Sequence, residues 1–264
     1  MLENITIGQY YPGDSFIHKL DPRVKITAAL VYMVGLFMVN DISGYALVVC
    51  AGLLTAALSR IPAAYLLRGL RPVFILIVIT FLLNMFLTPG EVLASAGPLE
   101  ITVEGIRMGI ILSVRLALLV LGASLVTLTT TPVNLTDGLE RLLSPGKRIG
   151  VPAHELAMMM TIALRFIPTL LEEAEKIIKA QKARGADFEG GSLVKRARNL
   201  LPILVPLFVG AFRRADELAA AMEARGYRGG EGRTRMHELR FGARDIIAAA
   251  AGIIFLVLSV ASRW

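Results

Sequence analysis

The sequence predicts an all-α protein: a polytopic membrane helix bundle of about five spans with long amphipathic helices on the cytoplasmic side. Three observations carry this prediction. Hydrophobic residues make up 55% of the 264-residue chain, with a mean hydropathy of +0.64. That is too apolar for a soluble domain, whose elements must keep a polar face toward water. The apolar residues gather in five long uncharged or nearly uncharged runs, and 18 of the 28 Lys and Arg residues fall in the single segment 132–240. The net charge of +7 therefore reads as cytoplasmic segments obeying the positive-inside rule, and nucleic acid is excluded as the partner in favour of the lipid bilayer.

Taken in order, the first twenty residues carry Glu3, Asp14, His18 and Lys19 and show no signal-peptide apolar core. The stretch LDPRVK then opens the first span: Asp21 suits an N-cap, Pro22 the first helical position, and Arg23 with Lys25 supplies cytoplasmic charge. Ile26 to Asn40 and Ile42 to Ser59 form a hairpin of two spans broken only at Asp41. Cys50 lies within the second as a packing residue, and as the lone cysteine it allows no disulfide within the chain. Val73 to Leu87 is a third span, bounded by Arg71-Pro72 and Pro89-Gly90. Met108 to Thr131 is a fourth, with Arg115 inside it, either snorkelling, paired with Glu104, or functional. Ile246 to Ser262 is the fifth, with Trp264 as an interfacial anchor. Arg60, Arg68 and Arg71 lie between the second and third runs, and Glu91, Glu100 and Glu104 between the third and fourth. This places the N-terminus inside and the C-terminus outside a cell membrane. The expected organisation is a four-span part over 1–131, cytoplasmic helices over 132–240 and a terminal span over 241–264.

Within 132–240, His154 to Ala183 and Leu200 to Ala224 each begin apolar and end charged, and each apolar half is too short to cross a bilayer alone. Glu172 to Lys176 and Glu175 to Lys179 are i, i+4 pairs in the favourable order. Pro202 and Pro206 obscure where the second helix starts. Offset by 41 residues, the two helices align Ala174 with Ala215, Glu175 with Asp216, Ile177 with Leu218 and Ala180 with Ala221, and both end in Ala-Arg-Gly. Ile177 and Ala180 lead to Arg184, and Leu218 and Ala221 lead to Arg225, as stripes along one helix face. Gly185 and Gly226 stand where a left-handed C-cap wants glycine. One reading is that Arg-Gly simply ends a helix well, with the cation facing the negative end of the dipole. The other is that both guanidiniums project into clefts of a partner, where their charge and forked donors survive desolvation.

Several chemistries are missing. The only Gly-Lys pair, Gly146-Lys147, is followed by Arg148 and preceded by Arg141 where a phosphate loop needs its first glycine. A zinc helix needs H-E-x-x-H, but the fourth residues after His154 and His237 are Met158 and Phe241. Asn84 is nearly alone as a polar group at mid-depth, where a stand-alone permease with its own substrate path should show more. That permease is the alternative reading.

The stretches LDPRVK, LRFIPTLLEEAEKIIKAQKARG and LVPLFVGAFRRADELAAAMEARGY resemble the transmembrane T component of energy-coupling factor (ECF) ABC-type importers of vitamins or metal ions, over nearly the whole chain. The resemblance implies a non-catalytic subunit with three kinds of contact. Ala183, Arg184 and Gly185 would dock on one ABC ATPase, and Ala224, Arg225 and Gly226 on a second. A membrane S component binds the substrate and packs on the coupling helices. It also implies that this chain holds no cofactor, with ATP and Mg on the ATPases. Phe208, Gly210 and Phe212 line the second lever, either for that purpose or as core.

Overall fold

A computed structural model describes residues 10–39, 41–96, 99–186, 188, 193–229 and 241–262. His237 and Trp264 lie outside the described residues. The chain forms two compact units, one drawn from residues up to Leu139 together with the C-terminal helix, the other from Glu140 onward through the second charged helix.

The first unit is a helix bundle: α1 (Pro22–Met38), α2 (Ile42–Ser59), α3 (Ala63–Leu87), α4 (Val103–Thr129) and α8 (Ala243–Ala261), with the start of α5 (Pro132–Leu143). Asp21 caps α1 by accepting from the Arg23 N–H at 2.9 Å, with Pro22 just behind it. Among the described residues, α3, α4 and α8 are long and apolar enough to cross a membrane, as is α6 (Ala153–Ala183) of the second unit. α1 and α2, at 17 and 18 residues, extend about 26 Å, slightly under a hydrocarbon thickness.

α3 begins ten residues before the expected start of the third span, taking Arg68, Arg71 and Pro72 into the helix. A single proline removes only one backbone bond, and the helix runs through it. Arg68 sits over the Tyr65 ring at 5.1 Å. Between α3 and α4, Val92–Ala96 (β1) and Leu99–Thr102 (β2) pair antiparallel, a small sheet that no alternating pattern announces.

The most extensive packing is α3 on α4. It rests on Gly105 and Gly109, a small-xxx-small pair on α4. A β-carbon at Gly105 would stand 2.8 Å from the Asn84 and Met85 carbonyl oxygens, and one at Gly109 3.0 Å from that of Phe81. The apolar core joins Leu36, Val39, Tyr45, Val48 and Leu118, with Tyr32 stacked on Phe255 of α8 at 5.7 Å.

Two charges behave differently from expectation. Lys25 is not a solvated loop charge but is buried, its Nζ donating to the carbonyls of His18 (3.1 Å) and Thr129 (2.9 Å) and to the Thr130 hydroxyl (3.3 Å). Beside it, the buried Asp245 carboxylate accepts from the backbone N–H groups of Asp21 (2.7 Å) and Gly242 (2.8 Å), tying the starts of α1 and α8 together. Arg115 does not meet Glu104, whose carboxylate accepts from the Glu91 N–H. Its guanidinium donates to the Val39 carbonyl at 3.2 Å and lies over the Phe37 and Tyr45 rings at 5.6 and 5.7 Å. Asn84 donates to Thr80 within its own helix. Cys50 is exposed on α2 rather than packed, facing away from the bundle.

Candidate functional site: the paired helix ends

The second unit is built on α6, a continuous 31-residue helix, and α7 (Leu193–Ala224), a continuous 32-residue helix. Pro202 and Pro206 fall inside α7, which starts seven residues before the expected Leu200. Ahead of them, α5 and a short 3-10 helix, Ser144–Ile149, lead into α6. The His154 ring meets the Glu140 carboxylate at 3.1 Å, a local contact between α5 and α6.

Both long helices stop by the same device. At the first, the Gly185 N–H bonds to the Lys182 carbonyl (3.0 Å) and the Ala186 N–H to that of Gln181 (3.0 Å). At the second, Gly226 bonds to Glu223 (2.9 Å) and Tyr227 to Met222 (3.0 Å). These are the 5→2 and 6→1 bonds of a Schellman motif, which needs a left-handed residue just past the cap. Gly185 and Gly226 supply it, at φ +85° and +69°. Among the described residues nothing lies within 4 Å of where either β-carbon would be, so backbone conformation and not crowding calls for glycine.

The caps leave the arginines outward. Ala183, Arg184, Gly185, Ala224, Arg225 and Gly226 are all exposed. Among the described residues neither guanidinium makes a hydrogen bond or ion pair. The stripes behind them are only partly covered: Ile177 and Leu218 are half-buried, and Ala180 and Ala221 are exposed. Phe208 and Phe212 are also exposed, so packing among the described residues does not account for them. The i, i+4 pairs of α6 do not close to ion-pair distance among the described residues.

The charge contact of α6 runs across to α7 instead. Glu173 meets Arg214 at 2.5 Å, with both side chains about a third exposed or less. Near the other end of the contact, the Tyr227 hydroxyl donates to the Met158 sulfur at 3.1 Å. Met158 and Ile162 of α6 face Leu218 and Met222 of α7 around an open cavity of about 530 Å³, rimmed by Arg225 and Arg228. Contacts at 173 with 214 and at 158 with 227 fix the helices as antiparallel. Glu173 and Arg214 are moreover equivalent positions under the 41-residue offset, and each lies eleven residues before its arginine tip. At 1.5 Å per residue each tip stands about 16 Å from that contact, and the tips point apart at a separation of about 33 Å. The offset alignment contained the signal, opposite charges at matched positions, but only antiparallel pairing gives it meaning.

The fold and these tips define a multi-helix membrane protein carrying a pair of arginine-ended levers. Residues 13–237 match the family described as cobalt transport protein, CbiQ. The chain is 55% identical to the energy-coupling factor transporter transmembrane protein EcfT of Clostridium kluyveri, over 100% of this chain and 98% of that protein. It is 56% identical to the protein of the same name from Thermosediminibacter oceani, over 100% and 99%, and 46% identical to that from Listeria innocua, over 98% and 100%. The chain belongs to this family of energy-coupling factor transporter transmembrane proteins.

Proposed function

We propose that this chain is the energy-coupling subunit of a vitamin or metal-ion importer, passing the ATP-driven motion of two ABC ATPases to a membrane S component that holds the substrate. One observation carries the reading: two arginines, identically capped, exposed and unpaired among the described residues, stand at opposite ends of one antiparallel helix pair. ABC ATPases act as pairs that close on ATP and part after hydrolysis. A subunit that responds to their relative motion must touch both, and tips about 33 Å apart suit one contact on each. Each guanidinium offers forked donors to carboxylates or carbonyls in a cleft and keeps its charge there. ATP and Mg reside on the ATPases, and this chain contributes no catalytic group. The exposed apolar residues of α7, Leu204, Val205, Phe208 and Phe212 among them, are the surface offered to the S component. The whole sits in the cell membrane with the levers on the cytoplasmic side.

The test is the Arg184→Glu, Arg225→Glu double variant, co-expressed with the two ABC ATPases that assemble with the native chain. Losing a buried, hydrogen-bonded arginine contact costs about 2 to 5 kcal/mol per tip, so the ATPases should no longer co-purify. Retention of both ATPases by the double variant overturns the proposal.

A further inference from the structure

We propose that the Glu173–Arg214 contact is the pivot about which the two levers turn, and that both residues are positioning residues for coupling. The inference rests on the function proposed above and goes beyond it by locating the fixed point between the tips. Three features point there.

The first is position. Glu173 and Arg214 each precede their tip by eleven residues, so the contact lies midway between Arg184 and Arg225. Equal arms on either side are what two similar motors need if their displacements are to be transmitted alike.

The second is the form of the contact. The Glu173 carboxylate takes only one guanidinium nitrogen of Arg214, at 2.5 Å, outside hydrogen-bond alignment, while the buried Arg214 Nη1 has no partner among the described residues. A bidentate fork would lock the two side chains in one plane. A single charged point attracts without fixing an angle, which permits the helices to rotate past one another while remaining joined.

The third is the space made for it. A β-carbon at Gly210, one turn before Arg214, would come within 2.8 Å of Glu173 Oε1. Glycine here leaves the gap through which the carboxylate reaches α7. Elsewhere, the facing side chains around Met158, Ile162, Leu218 and Met222 are apolar and half-buried, and the directed bond there, from the Tyr227 hydroxyl to the Met158 sulfur, is to a weak acceptor, so this surface slides more easily than the charged contact parts.

The experiment uses the complete complex with its ATPases. Nitroxide labels at Lys182 and Glu223, both exposed and outside the docking motifs, in a Cys50→Ala background, report the distance between the helix ends by double electron–electron resonance, without nucleotide and with MgATP plus vanadate. The native pair should give a narrow distribution near the expected separation of about 27 Å that shifts on trapping. Glu173→Gln and Arg214→Gln should each retain both ATPases and their hydrolysis but lose the shift. The exchange Glu173→Arg with Arg214→Glu should restore it. Gly210→Val, which blocks the carboxylate while leaving both charges, should lose the shift as well and serves if the glutamine variants fold poorly. Unchanged shifts in the single variants, or failure of the exchange to restore them, overturn the pivot. If the native levers show the shift but the Gln variants lose ATPases in proportion, the contact is merely structural and the proposal is equally overturned. Should the double tip variant Arg184→Glu, Arg225→Glu keep its ATPases, the functional reading itself fails, a result separable from all of these.

Discussion

Replacing Gly185 or Gly226 isolates what the tips require. Both hold φ near +70° to +85° with empty space around the missing β-carbon, so a side chain there meets a conformational penalty and no clash. A left-handed L-residue costs about 1 to 2 kcal/mol, and the alanine variant recovers part of this by stiffening the unfolded chain, leaving roughly 1 kcal/mol per tip. That penalty falls on the Schellman bonds alone, shifting the local opening equilibrium about fivefold. Hydrogen exchange of the amides at 185 and 186, and at 226 and 227, reads this directly. The expected order of protection is Gly above Asn above Ala above Val, since asparagine tolerates the left-handed region and a β-branched residue does not. Retention of the ATPases should follow the same order, because an opened cap no longer aims its arginine. Equal protection in the glycine and valine variants would refute the argument. So would a loss confined to amides elsewhere in α6 or α7, which would mean the glycines serve packing and not the cap.

Gly105→Leu should lower the thermal midpoint of the detergent-solubilised protein, because its side chain must push α4 away from the Asn84 and Met85 carbonyls; overpacking of this kind costs about 1 to 3 kcal/mol, and Ile106→Leu, changing shape without adding a close backbone approach, should be nearly neutral. Lys25→Met should also lower the midpoint, by about 2 kcal/mol or more, since it strands the buried Thr129 carbonyl and removes the cation beside Asp245; a midpoint equal to the native one would show that the buried cation contributes nothing net.

Much of the architecture was legible because it depends on short-range rules. Continuous apolar runs gave α2, α4 and α8 nearly to their ends, and Asp21-Pro22 marked the start of α1 because capping is a matter of two or three neighbouring groups. The glycines at 185 and 226 announced left-handed caps for the same reason. What escaped depends on tertiary pairing. Pro72 read as a flank of the third span, and Pro202 and Pro206 obscured the start of the second charged helix, yet α3 and α7 pass through them, each proline removing one backbone bond from a helix of 25 or 32 residues. Arg115 stood open between snorkelling, a pair with Glu104 and a functional role, because the two aromatic faces and the carbonyl it meets around the α1–α2 turn are neighbours in space and not in sequence. Gly105 and Gly109 carry a readable spacing, but Glu104 and Arg107 interrupt the apolar run there, so hydropathy alone starts the span at Met108 and leaves Gly105 outside it. Glu173 and Arg214 were legible only as matched positions of opposite charge.

The antiparallel pairing also decides how α6 stands to the bilayer. By length and composition α6 qualifies as a span, its apolar half beginning at Ala153. The helix beside that half is the charged end of α7, because Met158 meets Tyr227 and Glu173 meets Arg214. If α6 crossed the membrane with its partner attached, Asp216, Glu217, Glu223, Arg225 and Arg228 would enter the hydrocarbon with it. A charge at the centre of the span costs about 2.5 kcal/mol or more and those nearer the interface less, so several kcal/mol oppose the insertion. The reciprocal holds for α7, whose apolar half runs beside Glu175, Lys176, Lys179 and Lys182. The intact pair therefore disfavours insertion of either helix. A pair lying along the interface escapes the penalty: each helix contributes one apolar half to the membrane side or to a membrane partner, and both arginine tips remain in water. On the function proposed above, the alternation of greasy and wet halves, which would be a flaw in a spanning hairpin, is what would let one helix pair face hydrocarbon and ATPases at the same time.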